Sequence, residues 1–157
     1  GDDKWRQCLE RTGIDTHKTF FVSENVSDET AVKVLESLCE VLELPLAAAA
    51  DAFGDYWVND FAPRIYGGIY LGKSNAREFL LAMDDVHRTV ASSLPDARPP
   101  RFDYSWESDN VMLMTYESHR GLSDLMIGLV KGVGKYFQED LEVAKISDTR
   151  VRIVFPS

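Results

Sequence analysis

Tyr116, Ser118 and Arg120 set a phenol, a hydroxyl and a guanidinium at alternate positions of the stretch Y-E-S-H-R. The preceding N-V-M-L-M-T alternates as a strand does, and residues two apart on a strand share a face. The three donors therefore continue the row begun by Met112 and Met114. Arginine suits bidentate contact with carboxylate or phosphate, and tyrosine and serine add donors beside it. Such a row predicts an anionic group at the end of an otherwise apolar face.

A second candidate is His87. In A-R-E-F-L-L-A-M-D-D-V-H-R-T-V the apolar positions Phe79, Leu80, Met83, Val86 and Val90 fall near helical period, and His87 lies four residues after Met83. It projects from the buried face or its edge. One reading is a core histidine satisfied by a backbone carbonyl; the other is a metal ligand. His17 falls in a polar loop, and His119 alternates away from the donor row. Asp84 and Asp85 stand near His87 without forming a nucleophile–base pair. The sequence carries no Ser-His-Asp pattern, phosphate-cradling glycine loop, paired catalytic carboxylates or zinc-ligand spacing. A ligand is indicated rather than a reaction. One histidine on an apolar helix face can supply an axial bond to a haem iron, a donor row can hold propionates, and methionines and aromatics can enclose a porphyrin.

The elements that must position these residues change character along the chain. Residues 2–12 read as a helix ended by Gly13, and Ser27 caps a second over 28–42. Pro45 opens a third that Gly54 ends, before the aromatic D-Y-W-V-N-D-F. Gly67 and Gly68 mark a loop, and Ser74 or Asn75 caps a long helix that runs through His87 to Pro95. Two strands follow, turning at Ser108-Asp109, then an amphipathic helix over 121–138 and a second hairpin around Asp148. Helices first, then strands around a helix, predict an α+β fold with an antiparallel sheet.

The 157 residues suffice for one domain that buries roughly 70% of its unfolded surface. A net charge of −9 argues against nucleic acid and anionic membranes. No apolar run approaches the ~20 residues of a membrane span, and no signal-peptide pattern opens the chain. Cys8 and Cys39 lack metal spacing and are expected as free buried thiols in a reducing cytoplasm.

His87, Pro100 at 13 residues beyond it, and the Tyr116-x-Ser118-x-Arg120 row stand in the order and spacing of the H-NOX family, which this stretch of chain resembles. These are the haem nitric oxide/oxygen-binding domains, known in bacteria and as the haem domain of soluble guanylyl cyclase. The resemblance covers nearly the whole chain, and F-G-D-Y-W-V at 53–58 resembles the family's distal helix. It implies haem b (protoporphyrin IX iron) between a helical distal part and the sheet, an axial His87, and Pro100 against the porphyrin. It also implies propionates on Tyr116, Ser118 and Arg120. Met83, Trp57 and Leu125 join the expected pocket. Family members usually begin about one helix earlier, so 1–157 is expected as a single H-NOX-like domain lacking that first helix. Oxygen-binding members carry a distal tyrosine at the position that falls on Leu125.

The resemblance thus implies a cytoplasmic gas sensor and not an enzyme. It would bind NO and CO, exclude O₂ and signal by release of the axial histidine. Its partner would be a histidine kinase, a cyclic-di-GMP enzyme or a fused cyclase. A haem-free ligand-binding or interaction module of the same fold is the alternative.

Overall fold

The computed structural model describes every residue except 22, 23, 25, 93–97, 118–121 and 157. The chain divides into two compact units, Gly1–Ala49 and Ala50–Ser157.

In the first unit, α1 (Asp2–Thr12) ends at Gly13, whose φ of 72° gives the left-handed cap that glycine adopts without strain. Ser27 accepts the Thr30 N–H and starts α2 (Asp28–Leu42). The two helices join where Ser37 donates to the Cys8 carbonyl at 3.1 Å. Both cysteines are free, as expected; Cys8 is buried, but Cys39 is only half-buried. Helix α3 (Leu46–Tyr56) crosses into the second unit.

The sequence reading ended α3 at Gly54, but the helix continues through it. Gly54 is a contact residue: a Cβ there would lie 2.0 Å from the Gly128 carbonyl oxygen. The backbone of α7 (Ser123–Phe137) thus occupies the space a side chain would take. Lys131 with Asp51 at 2.7 Å and Lys135 with Asp55 at 2.5 Å flank the crossing.

After α3 the chain makes one π-helical turn, Trp57–Phe61, before α4 (Ala62–Tyr66). The Ala62 N–H donates to the Trp57 carbonyl, five residues back. The next donor in that pattern would be residue 63, a proline with no N–H. The Val58 carbonyl would be left unpaired, and the Tyr70 hydroxyl donates to it at 3.0 Å. Burial pushes the Tyr70 phenol up to about 12, so it remains a donor. Tyr70→Phe is expected to cost roughly 1–3 kcal/mol, as for a buried acceptor losing its partner; urea unfolding checks this.

Gly67 and Gly68, expected as loop, form a single 3₁₀ turn with Ile69. Asn75 rather than Ser74 is the N-cap of α5 (Ala76–Leu81), accepting the Glu78 N–H at 2.8 Å. The long helix expected from there is broken at Ala82, and α6 (Met83–Ser92) carries His87. Tertiary contact supplies the reason: the Tyr104 hydroxyl donates to the Leu80 carbonyl at 2.7 Å, which the amide of residue 84 would take in a continuous helix. The expected stop at Pro95 lies outside the described residues.

Strands β1 (Arg101–Ser108), β2 (Val111–Glu117), β3 (Glu142–Ser147) and β4 (Arg150–Val154) form an antiparallel sheet in the order β1-β2-β4-β3. The first turn is at Asp109-Asn110, one residue later than expected, after a register shift between Trp106 and Ser108. Met112, Met114 and Tyr116 point inward as the alternation requires, and they join Met126, Val130 and Val133 of α7 in the core. The α+β class and antiparallel sheet are those read from the sequence.

Candidate haem site

His87 sits at the edge of the buried side of α6. Its side chain is half-buried, yet Nδ1 is sealed from solvent and has no hydrogen-bond partner among the described residues. The Pro100 backbone favours the protonated ring, but not through a bond that satisfies Nδ1. Burial is the larger influence and holds the imidazole below its ordinary pKa, with Asp84 and Pro100 opposing it. The neutral ring is the form that ligates metals.

The His87 ring lies 5.2 Å from that of Phe102, and Phe102 lies 5.9 Å from Tyr116. Phe102 and Tyr116 are direct partners across β1 and β2. A single aromatic ring therefore separates the candidate axial ligand from the first residue of the donor row. Sequence reasoning did not single out Phe102; its place two residues after Pro100 was the available signal. Pro100 is half-buried just before β1, and Met83 packs against the core. Ser118 and Arg120 lie outside the described residues.

Val86 and Val90, read from the sequence as part of the inward stripe, instead line a groove of about 320 Å³ with Ile69 and Thr89. His17 is exposed in a turn, as expected, and His119 is outside the described residues. Trp57 is the first residue of the π turn, packed on the core between the rings of Phe53 at 5.7 Å and Phe61 at 5.0 Å. Leu125 is half-buried in the first turn of α7. Among the described residues no three His, Cys, Asp or Glu side chains gather to hold a bare metal ion. A haem iron is already held by its porphyrin and needs one protein nitrogen; His87 on an apolar helix edge fits that need.

The sequence matches the Haem-NO-binding family over residues 1–145. The chain belongs to that family. It is 26% identical over 139 residues to soluble guanylate cyclase gcy-32 of Caenorhabditis elegans, covering 86% of this chain but only 20% of the cyclase. It thus spans about a fifth of that relative's length. Among solved structures, an oxygen-binding H-NOX domain related to soluble guanylate cyclases, in its oxygen complex, superposes with a TM-score of 0.82. That likeness has 22% identity over 100% of this chain and 87% of the other. A Cs H-NOX mutant carrying an unnatural cyano-phenylalanine gives 0.84 at 22% identity, over 100% of this chain and 88% of that one. The fold is that of the H-NOX domains, and haem is the family's cofactor. The chain is a haem-binding gas-sensor domain similar to that region of the soluble guanylate cyclases.

Proposed function

We propose that the chain is a nitric oxide sensor that also takes CO, excludes O₂, and signals through loss of the bond between His87 and iron. The observation that carries this reading is the buried, unpartnered imidazole nitrogen of His87 on an apolar helix edge. Burial also keeps the imidazole below its ordinary pKa, which favours the neutral ring that ligates metals. Tyr116, Ser118 and Arg120 would hold the propionates, with arginine giving the strongest, charge-assisted contact. Pro100, half-buried before β1, would contact the porphyrin, and Met83, packed against the core, would add apolar wall. Haem bound here would supply an iron that takes NO, and weakening of its bond to His87 would release the imidazole and free α6 to move. The two states differ in one metal–ligand bond, the kind of differential contact a switch requires.

Residues 1–157 act together as one domain in this reading. The downstream partner is a histidine kinase, a cyclic-di-GMP enzyme or a cyclase in the same polypeptide; the guanylate cyclase relatives favour the last. No described helix is long and apolar enough to cross a membrane, which is compatible with a cytoplasmic sensor.

Oxygen exclusion rests on Leu125. O₂ at the site would need a hydrogen-bond donor beside it, and a leucine has none; Trp57 is the other distal candidate. The haem-loaded ferrous protein is expected to show no lasting spectrum of bound oxygen in air, only slow oxidation. Leu125→Tyr is expected to gain O₂ affinity if its phenol reaches the ligand at ~2.7–3.0 Å. A wild-type oxygen spectrum that lasts minutes and persists in Trp57→Phe would sink the assignment.

A further inference from the structure

The π turn at Trp57–Phe61 carries Trp57, the second residue proposed for the distal wall, and Phe61, whose ring lies 5.0 Å from that of Trp57. A π turn puts one extra residue into a helix, and such turns sit frequently at functional sites. Each residue advances an α-helix by roughly 100°, so gain or loss of the turn rotates Phe61 relative to Trp57. Pro63 cannot stabilise the turn, since it has no N–H. Two side chains do so instead. The Tyr70 hydroxyl donates to the Val58 carbonyl at 3.0 Å, and Asn59 Nδ2 donates to the Gly132 carbonyl of α7 at 3.2 Å. Tyr70 is itself firmly seated: it is buried, and its ring lies 4.8 Å from that of Phe79 and 4.7 Å from that of Tyr136. The aromatic packing does not need the hydroxyl, because a phenylalanine fills the same space. The hydroxyl serves the turn.

We infer that Tyr70 is a positioning residue for ligand discrimination: its hydroxyl holds the π turn, and the turn sets where Trp57 and Phe61 stand. The inference rests on the reading of Trp57 as part of the distal wall. Without the hydroxyl, the buried Val58 carbonyl draws on the nearest backbone donor, the Ala62 N–H that now serves Trp57. That exchange replaces the π turn by α-helical pairing and shifts Phe61 against Trp57. The wall beside a bound gas then changes shape, although Tyr70 acts on it only through the backbone.

Tyr70→Phe keeps the ring and removes only the hydroxyl, so its effects report the hydrogen bond. In haem-free protein, the Trp57 indole N–H resonance, assigned by its loss in Trp57→Phe, is expected to shift in Tyr70→Phe. The indole of Trp5, on α1, is the reference and stays in place. Ile153→Val, a core truncation on β4, lowers stability without touching the turn and is expected to leave the Trp57 resonance unmoved. Pro63→Ala supplies the missing N–H, and in that background Tyr70→Phe is expected to shift the indole less. An unmoved Trp57 indole in Tyr70→Phe, or an equal shift in the Pro63→Ala background, overturns the positioning role, whatever the protein binds. In haem-loaded ferrous protein, Tyr70→Phe is expected to shift the stretching band of bound CO and to speed CO loss by about threefold or more, the scale of one ordinary hydrogen bond. Trp57→Phe should move the same band. If Trp57→Phe moves it and Tyr70→Phe does not, Tyr70 has no part in ligand discrimination. If neither moves it, the distal reading of Trp57 is wrong and the claim on discrimination falls with it, while the indole resonance still decides whether Tyr70 positions Trp57.

Discussion

Replacement of His87 by glycine is expected to abolish the protein–iron bond, and added imidazole is expected to restore it. The glycine removes the ring and leaves space beside Phe102, whose ring lies 5.2 Å from that of His87. Imidazole can enter that space and supply the same nitrogen without a tether to α6. The ferrous spectrum should change on substitution and return with imidazole, while NO should no longer transmit any change to the helix. His87→Phe is the companion variant: it keeps an aromatic ring against Phe102 and removes a buried, unpartnered nitrogen. Its haem-free stability should therefore be close to that of the wild type. A His87→Gly protein with an unaltered ferrous spectrum, or one that imidazole does not rescue, contradicts the axial assignment.

Gly128→Ala is expected to be among the most destabilising single methyls that can be added to the chain. A Cβ at Gly128 would stand 2.0 Å from the Ala50 carbonyl oxygen and 2.4 Å from its carbon. A Cβ at Gly132, one turn on, would stand 2.4 Å from the Gly54 carbonyl oxygen, so the two backbones approach closely along the whole crossing. Backbone atoms cannot rotate away as a side chain can. Overpacking of this kind costs about 1–3 kcal/mol and occasionally more, which lowers the melting temperature by roughly 4–8 °C per kcal/mol in a unit near 100 residues. Gly67→Ala is the control, with open space around the added methyl and an ordinary helical φ of −50°. Equal melting temperatures for the two variants would show that α3 and α7 do not cross as closely as described. The same crossing positions Leu125 on α7 and Trp57 after α3, the two residues proposed for the distal wall, so on that proposal the defect also appears in ligand binding.

Local rules made much of this legible. Ser27 and Asn75 announce helix starts because their side chains accept from the backbone three residues on. The alternation through Met112, Met114 and Tyr116 reveals its inward face because one side of the sheet is buried. His87 could be placed on the helix edge from period alone. What stayed hidden depends on residues distant in sequence. Gly54 looks like a helix stop and is a helix contact, because its reason lies at Gly128. The break at Ala82 has no proline or glycine to mark it; Tyr104 and Asp84 make it, from opposite sides of a strand–helix contact. The π turn had a local clue in Pro63, five residues after Val58, but its stabilising partner is Tyr70. Phe102, the ring between His87 and Tyr116, was an ordinary strand aromatic until the register paired it.

The absorption spectrum of the purified chain, reconstituted with haem, reduced and then exposed to NO, is the most direct test. One haem per chain is expected, with a ferrous spectrum typical of a single histidine ligand and, on NO addition, a shift to the spectrum of iron that has lost that histidine. A chain with no Soret absorption after reconstitution, or one whose histidine bond survives saturating NO, would contradict it.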